Sequence, residues 1–191
     1  MKRLLLIGPP GGGKGTQAAI IKQHWHVPHI STGDLLRAAV RDQTPLGKKA
    51  EAVMAAGDLV SDDIMLGLIK QRLSETDAVN GFILDGYPRN LPQAQALQDV
   101  LNDLNMPLNG ALLIEVEPEN IVQRLAKRAQ DEGRSDDTAE VVRKRLDIYA
   151  EQTTPVADFY AKQEMLVRIQ GEGDIEAITE RILQAANAAG W

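Results

Sequence analysis

A glycine-rich segment between a short apolar run and a helical pattern constrains this chain more than any other feature. Residues 8–16 have the sequence Gly-Pro-Pro-Gly-Gly-Gly-Lys-Gly-Thr and follow the apolar run 4–7. Glycines let the backbone adopt positive φ, so successive N–H groups can point inward, and the start of the next helix favours an anion. The order of strand, loop, lysine and helix therefore predicts a phosphate-binding loop in an α/β fold.

Two side chains of this segment are candidates for direct contact with a nucleotide. Lys14 is expected to contact the β- and γ-phosphates, and Thr16 to contact Mg²⁺. The general motif G-x-x-x-x-G-K-[ST] has its hydroxyl residue directly after the lysine, where this chain has Gly15. The hydroxyl comes one residue later. A glycine-rich turn that bound no ligand would not explain the lysine between strand and helix, so a nucleotide site is the favoured interpretation.

Further apolar runs predict the remainder of a parallel sheet. Residues 82–84, 111–116 and 165–169 lack the polar alternation of half-exposed strands, which indicates burial on both faces. Between the runs, apolar residues recur at helical spacing in segments 15–24, 35–42, 46–56, 62–74, 92–105, 118–129, 139–162 and 175–189. Strands that alternate with helices predict a doubly wound α/β fold with right-handed crossovers. The stretch 31–74 shows no obvious strand and predicts a helical insertion.

Composition excludes several classes of protein. A length of 191 residues predicts one domain. With no cysteine, there can be no disulfide, thiolate zinc site or cysteine nucleophile, and the reducing cytoplasm is the expected location. A net charge of −6 argues against nucleic acid or an anionic membrane as partner. The run 4–7 is too short for a secretory signal, and the sequence predicts no membrane-spanning helix.

The run 82–84 ends in a second group of candidate site residues. Asp85 follows the strand directly, where a carboxylate can hold Mg²⁺ or its water shell, although it could instead cap the next turn. Arg89 offers a planar, bidentate contact to phosphate. Gln93 carries a donor and an acceptor that suit a base edge.

Five segments in order resemble the adenylate kinases of the nucleoside-monophosphate kinase family, along essentially the whole chain. They are residues 8–16, 31–34 with Arg37, 57–62, 85–89 with Gln93, and 133–137 with Arg145. The resemblance implies a P-loop three-layer fold with a five-stranded parallel sheet. It also implies a core of residues 1–30, 61–126 and 138–191, an AMP-binding helical insertion at 31–60 and a short, mobile lid at 127–137.

The resemblance further implies the reaction ATP + AMP ⇌ 2 ADP with Mg²⁺, which maintains the adenine nucleotide balance, and a monomer. ATP would be bound by Gly11, Gly12, Gly13, Lys14, Gly15, Thr16, Arg124, Arg128 and Gly173. AMP would be bound by Thr32, Arg37, Asp58, Leu59, Val60, Gly86, Tyr87, Pro88, Arg89, Gln93, Arg134 and Arg145. The catalytic residues would be Lys14, Arg89, Arg128, Arg134 and Arg145, and Thr16 and Asp85 would hold Mg²⁺, partly through water.

Two residues favour AMP over other monophosphates. Pyrimidine-specific relatives usually carry Ala at the position of Thr32 and Asn at the position of Gln93, whereas this chain has the AMP-type residue at both. A site built to hydrogen-bond one base rejects a base that leaves its polar groups unpaired.

Some of these residues also admit a purely structural interpretation. Thr32 could be only a helix N-cap, and Arg124 and Arg128, four residues apart, could be solvated. Asp62 and Asp63 are expected to be first-turn charges of a helix rather than catalytic acids.

Two other clusters have competing interpretations. The histidines 24, 26 and 29 could suggest a metal site, but loop or surface positions are expected. In the lid, Gly133 is a candidate flexing point, and Asp136 and Asp137 either hinge, pair with lid arginines or cap a helix that begins near 139. Residues 129–135 leave no room for a zinc-bearing lid, so no zinc is expected.

Two other classes of protein share the phosphate loop. A GTPase-type switch would normally carry an Asn-Lys-x-Asp segment, which we do not find. A kinase of small non-nucleotide alcohols would not explain Thr32, Arg37, Arg89 and Gln93 together. Formation of ADP from ATP and AMP separates the three.

Overall fold

The computed structural model describes residues 1–132 and 138–191, without the side chains of residues 127–132. Its central sheet consists of β1 (Lys2–Ile7), β2 (His29–Ser31), β3 (Gly81–Asp85), β4 (Gly110–Glu115) and β5 (Leu166–Gln170). All strand pairs are parallel, and the spatial order is β2-β3-β1-β4-β5. The predicted α/β fold and the five-stranded parallel sheet are confirmed.

The helices of the described residues match the predicted helical segments to within a few residues. They are α1 (Lys14–Trp25), α2 (Thr32–Arg41), α3 (Pro45–Ala55), α4 (Asp62–Leu73), α5 (Leu91–Asp103), α6 (Pro118–Glu132), α7 (Ala139–Ile148), α8 (Thr154–Ala161) and α9 (Ile175–Ala188). None of the helices described is both long and apolar enough to cross a membrane.

Three details differ from the sequence-based prediction. The predicted burial of residues 165–169 on both faces is wrong, because β5 lies at an edge of the sheet and exposes Arg168 and Gln170. Periodicity alone did not reveal β2, because this edge strand has three residues and only its central Ile30 is buried. The single helical pattern over 139–162 is interrupted by a π-helical turn at Tyr149–Thr153, between α7 and α8. Pro155, in the first turn of α8, has no N–H for a helical hydrogen bond, so it suits a new helix start.

Alternate residues of β1 fill the two halves of the core. Leu4 and Leu6 belong to the cluster that packs against α1 and α9, while Leu5 and Ile7 belong to the cluster packed by α4, α5 and α8. All four are at most 4% exposed. Because successive side chains of a strand point to opposite faces, an unbroken apolar run requires helices on both faces. The result is a three-layer sandwich.

The strand order creates a crevice at the carboxyl edge of the sheet. The connection after β1 leads to β2 on one side, whereas the connection after β3 leads across β1 to β4 on the other. Adjacent parallel strands whose connections diverge leave a ligand-sized gap beyond their carboxyl ends. Residues 8–13 follow β1 and Asp85 ends β3, so the two predicted phosphate and metal elements border the same crevice.

Candidate active site

The glycine-rich loop has the backbone conformation that its sequence predicts. Gly11 has φ +76°, and Gly13, the N-cap of α1, has φ +84°. The Lys14 ammonium donates to the carbonyls of Gly8 and Pro9, both at 2.8 Å. The lysine thus lies along its own loop, at the start of α1, where the helix dipole favours an anion.

The departure from the general motif places Gly15 opposite the acidic end of β3. A Cβ at Gly15 would lie 3.9 Å from Asp85 Oδ2, and Thr16 is exposed at the cleft. The Asp85 side chain is 11% exposed, and its Oδ2 lies 3.4 Å from His29 Nε2. The expectation of a loop or surface position is therefore wrong for His29, which lies in β2 and lines the cleft.

These oxygen atoms suit Mg²⁺, which usually takes one or two carboxylates and completes its shell with water and substrate phosphates. Asp85 is nearly buried beside the phosphate loop, and the Thr16 hydroxyl is a hard oxygen ligand. Among the described residues there is no group of three or more His, Cys, Asp or Glu placed to hold a metal ion. The donor set fits a cation held jointly with a bound nucleotide.

At the end of the cleft away from the phosphate loop, Arg89 is held by hydrogen bonds of its side chain and of its backbone. Its Nε donates to the Gly86 carbonyl at 2.7 Å, and its own carbonyl accepts from Thr153 Oγ1 at 2.8 Å. Loss of hydration lowers the pKa of the guanidinium, and the charges of Arg145 and Arg37 lower it further. Asp85 opposes this shift. Several cations converge here, and such a cluster suits a multiply charged anion.

Arg37 and Arg145 reach this cluster from separate helices. Arg37 lies on α2 and pairs with Asp34 at 2.6 Å, with its side chain 34% exposed. Arg145 lies on α7, and both arginines line the cleft. Arg37 lines the cleft while paired with Asp34. An incoming phosphate would compete with Asp34 for the guanidinium, because an exposed ion pair of this kind has a small energy.

Gln93 is buried at the same end, at 2% exposure. Its Oε1 accepts from the Arg89 backbone N–H at 2.7 Å, and its Nε2 donates to Asp62 Oδ1 at 2.7 Å. The predicted role of Asp62 as a first-turn charge of α4 is thus incomplete, because this carboxylate also orients Gln93. No local pattern could have revealed this contact between residues 31 positions apart.

Thr32 is not a helix N-cap, contrary to one interpretation of the sequence. Ser31 is the N-cap of α2, and its hydroxyl accepts from Asp34 N–H at 3.2 Å. Thr32 is fully buried, and its Oγ1 lies 3.4 Å from the Asp85 carbonyl. It therefore lies beneath the surface of the cleft and packs against the turn at Gly86.

The segment after α3 forms another wall of the cleft. Asp58, Leu59 and Val60 all line it, and Val60 is 8% exposed. Asp58 pairs with Lys144 of α7 at 2.6 Å. This exposed pair links the segment after α3 to α7, the helix that carries Arg145.

Arg124 and Gly173 lie at the phosphate-loop end of the cleft, where a Cβ at Gly13 would be 3.9 Å from Arg124 Nη1. Arg124 Nη2 donates to the Gly171 carbonyl at 2.8 Å and lies 3.6 Å from Glu172. Glu172 accepts from the Glu117 N–H, and this bond is the main cause that lowers its pKa. Arg124 is thus held against the loop that contains Gly173, and the solvated-surface interpretation is wrong for this residue.

Together these elements enclose one cleft of about 840 Å³. Thr32 apart, every predicted site residue with a described side chain lines it: Gly11, Gly12, Gly13, Lys14, Gly15, Thr16, Arg37, Asp58, Leu59, Val60, Asp85, Gly86, Tyr87, Pro88, Arg89, Gln93, Arg124, Arg145 and Gly173. The Arg128 side chain and residues 133–137, with Gly133, Arg134, Asp136 and Asp137, lie outside the described residues. The predicted helix start near 139 is confirmed, with Thr138 as N-cap.

Comparison with known proteins agrees with this geometry. The family model described as adenylate kinase matches residues 6–165. An adenylate kinase of Xylella fastidiosa (strain 9a5c) is 55% identical over 183 residues, which cover 96% of this chain and 98% of that protein. One from Stenotrophomonas maltophilia (strain K279a) is 51% identical over 186 residues, covering 97% and 100%.

A third relative extends the agreement. An adenylate kinase of Xanthomonas campestris pv. campestris (strain 8004) is 54% identical over 183 residues, covering 96% of this chain and 98% of that protein. Such identity along nearly the full length accompanies a parallel sheet with a glycine-rich loop after its first strand and an arginine cluster in the same cleft. The chain belongs to the adenylate kinase family of nucleoside-monophosphate phosphotransferases.

Proposed function

We propose that this protein catalyses the reversible, Mg²⁺-dependent reaction ATP + AMP ⇌ 2 ADP and thereby maintains the balance of adenine nucleotides. The observation that carries the proposal is a single cleft with a phosphate loop at one end and Arg37, Arg89 and Arg145 at the other. Two separate cationic sites in one cleft suit two phosphorylated substrates.

The phosphate loop would bind ATP. The N–H groups of residues 11–16 and the ammonium of Lys14 would contact its phosphates, and an incoming phosphate would compete for the lysine with the carbonyls of Gly8 and Pro9. Arg124 and the backbone at Gly173 would form the remainder of this site. Arg128 is assigned to the same site by its position in the family pattern.

The arginine cluster would bind the phosphate of AMP, and Gln93 would contact its base. Arg89 offers a planar guanidinium for bidentate contact, and Arg37 and Arg145 add charge. Thr32, the segment 58–60 and the turn 86–88 would shape the pocket for the nucleoside. Arg134 is assigned here by family pattern.

Thr16 and Asp85 would hold Mg²⁺, partly through water. When bound, this ion neutralises charge on the ATP phosphates. The chain itself contributes a nearly buried carboxylate at the end of β3 and a hydroxyl in the first turn of α1. No zinc is proposed.

The chemistry would need no general base, because the attacking phosphate oxygen of AMP is already largely anionic at neutral pH. The barrier arises from repulsion between two polyanions and from their orientation. Lys14, Arg89, Arg128, Arg134 and Arg145 would supply the fixed positive charge, and the cleft would set the geometry for in-line transfer. Preorganised charges of this kind lower the barrier because they need no rearrangement during the reaction.

We further propose that residues 31–60 form the AMP-binding insertion and residues 127–137 a lid, on a core of residues 1–30, 61–126 and 138–191. Closure of the lid would exclude water and so prevent hydrolysis of ATP. Opening of the lid or product release would then limit turnover, and kcat would fall as solvent viscosity rises. The protein would act as a cytoplasmic monomer.

The deciding experiment measures ADP formed from ATP and AMP, with excess Mg²⁺ and with EDTA. We expect activity only with Mg²⁺, and a kcat/KM for AMP well above those for CMP, UMP and GMP. A preference for a pyrimidine monophosphate, or full activity in EDTA, would contradict the proposal. A crystal structure with a bisubstrate analogue, two adenosines joined by five phosphates, would test every assigned arginine together.

A further inference from the structure

The Gln93 amide is held by two partners of opposite hydrogen-bonding character. On one side, its Nε2 lies 2.7 Å from Asp62 Oδ1. On the other side, its Oε1 lies 2.7 Å from the Arg89 backbone N–H. An ionised carboxylate can only accept a hydrogen bond, and a backbone N–H can only donate one. The chemistry of these partners therefore determines which end of the amide is oxygen and which is nitrogen.

Rotation of this amide by 180° would break both hydrogen bonds at once. The oxygen of Gln93 would then face the Asp62 carboxylate, and its NH₂ group would face the Arg89 N–H. Gln93 is 2% exposed, so water could not replace either partner easily. A buried polar group that meets a group of its own kind loses its hydrogen bond and keeps its desolvation cost.

Asp62 is itself held in place. Its carboxylate accepts from Asn90 Nδ2 at 3.1 Å and 3.4 Å for its two oxygens. Asn90 Oδ1 in turn accepts from the Gln93 N–H at 2.9 Å and caps α5. Asp62 also lies in the first turn of α4, where a negative charge is favoured. The three side chains form a closed network that joins α4 to α5.

The orientation of the amide matters because the described residues leave two of its hydrogen-bonding positions unused. Nε2 keeps one hydrogen, and Oε1 keeps one lone pair. Adenine presents an N6 donor beside an N1 acceptor, whereas hypoxanthine and guanine present an O6 acceptor beside an N1–H donor. An amide that matches one edge must turn over to match the other.

We propose that Asp62 is a specificity-determining positioning residue, which favours 6-aminopurine over 6-oxopurine monophosphates by preventing rotation of the Gln93 amide. This inference rests on the proposed contact between Gln93 and the base of the acceptor nucleotide. Asp62 itself does not touch the nucleotide.

The test compares kcat/KM for AMP and for inosine monophosphate (IMP) in Asp62→Asn and in the unchanged protein. IMP is the sharper probe because it differs from AMP only at positions 1 and 6 of the base. An asparagine can present either its oxygen or its NH₂ group to Gln93, so only the Arg89 N–H would then oppose rotation of the amide. We expect the AMP/IMP ratio to fall at least about tenfold, in line with the loss of one hydrogen bond to a charged group.

The matched control is Asp63→Asn, which removes the same charge from the same turn of α4 at an exposed position. We expect it to leave the AMP/IMP ratio unchanged. Asp62→Ala gives a second measurement if Asp62→Asn does not fold. Equal losses of kcat/KM for AMP and IMP in the Asp62 variants, with a constant ratio, would indicate a merely structural role and overturn the proposal.

Gln93→Ala separates this inference from the proposed function. If Gln93 contacts the base, this variant loses most of the AMP/IMP discrimination, and adding Asp62→Asn changes the ratio no further. A ratio unaffected by Gln93→Ala would refute the base contact itself. A ratio that collapses in Gln93→Ala but stays within twofold of normal in Asp62→Asn would refute only the role of Asp62.

Discussion

The two ends of the cleft are built in different ways. At the phosphate-loop end, the proposed recognition elements are mostly backbone groups, and the loop conformation depends on glycines such as Gly11 and Gly13 at positive φ. At the arginine end, the recognition elements are side chains held by other side chains, as Gln93 is held by Asp62 and Arg89 by Thr153. The glycine-rich loop of the first end is local in sequence, whereas the contacts that hold Gln93 and Arg89 at the second span 31 and 64 residues.

This difference has a physical basis. Phosphates carry the same charge distribution in every nucleotide, so a turn of N–H groups at a helix start suffices to bind them. A base must be distinguished by the direction of individual donors and acceptors, which requires side chains of defined orientation. Orientation of buried side chains in turn requires partners from elsewhere in the fold.

The largest effect that distinguishes the two ends is expected for Arg89→Lys. Lysine cannot reproduce the planar guanidinium or the bond from Arg89 Nε to the Gly86 carbonyl. We expect kcat/KM for AMP to fall about 10²- to 10³-fold, with little change in the affinity for ATP. Steady-state kinetics with each substrate varied, together with direct measurement of ATP binding, test this expectation.

The control for this variant is Arg41→Lys, which alters an arginine that pairs with Asp42 and is 75% exposed. It is expected to have normal kinetics. An equal loss of ATP affinity in Arg89→Lys would show that the two ends do not act separately.

A smaller effect, at the opposite end, is expected for Gly11→Ala. The added Cβ would lie 2.7 Å from Cγ of Leu125, which is 1% exposed, and the backbone has φ +76°. We expect a loss of about 2 kcal/mol or more in the free energy of unfolding, and about a tenfold loss of ATP affinity. Chemical denaturation and ATP titration measure the two quantities.

Gly67→Ala is the matched substitution for this test, because a Cβ at Gly67 of α4 would meet no atom within 4 Å. Here we expect a gain of about 0.5–1 kcal/mol in the free energy of unfolding. If Gly11→Ala weakened AMP binding as much as ATP binding, the backbone-built end could not be treated as separate.

The smallest effect is expected for Thr153→Val, which keeps the shape of the side chain but removes the hydrogen bond to the Arg89 carbonyl. We expect a loss of about 1 kcal/mol in stability and a rise of a few-fold in KM for AMP, with kcat nearly unchanged. Thr153→Ser should restore KM.

Thr154→Val in the same region provides the comparison. Its hydroxyl donates a hydrogen bond to the Tyr149 carbonyl at 3.2 Å, and the residue is exposed. It should leave KM for AMP unchanged. A similar rise of KM in both variants would mean that the π-helical turn as a whole, rather than the Thr153 bond, supports Arg89.

Much of the fold was predictable because its determinants are local. The apolar runs predicted four strands, and periodicity placed the helices to within a few residues. Burial on both faces was right for most of β1, β3 and β4 but wrong for β5, which lies at an edge of the sheet and exposes Arg168 and Gln170. The apolar pattern did not predict strand β2, because Ile30 is the one buried residue among its three. The π-helical turn was not predicted either, because one extra residue in a single turn leaves the apolar pattern of 139–162 nearly unchanged.

By itself, the sequence determined the phosphate loop and the α/β class, since both depend on neighbouring residues and on the periodicity of burial. Only the tertiary structure decided how the opposite end is held. It joined Asp62 to Gln93, Thr153 to Arg89 and His29 to Asp85. These contacts form where separate helices and strands meet at the carboxyl edge of the sheet. The pattern of neighbouring residues in the sequence does not specify which distant side chain becomes the partner.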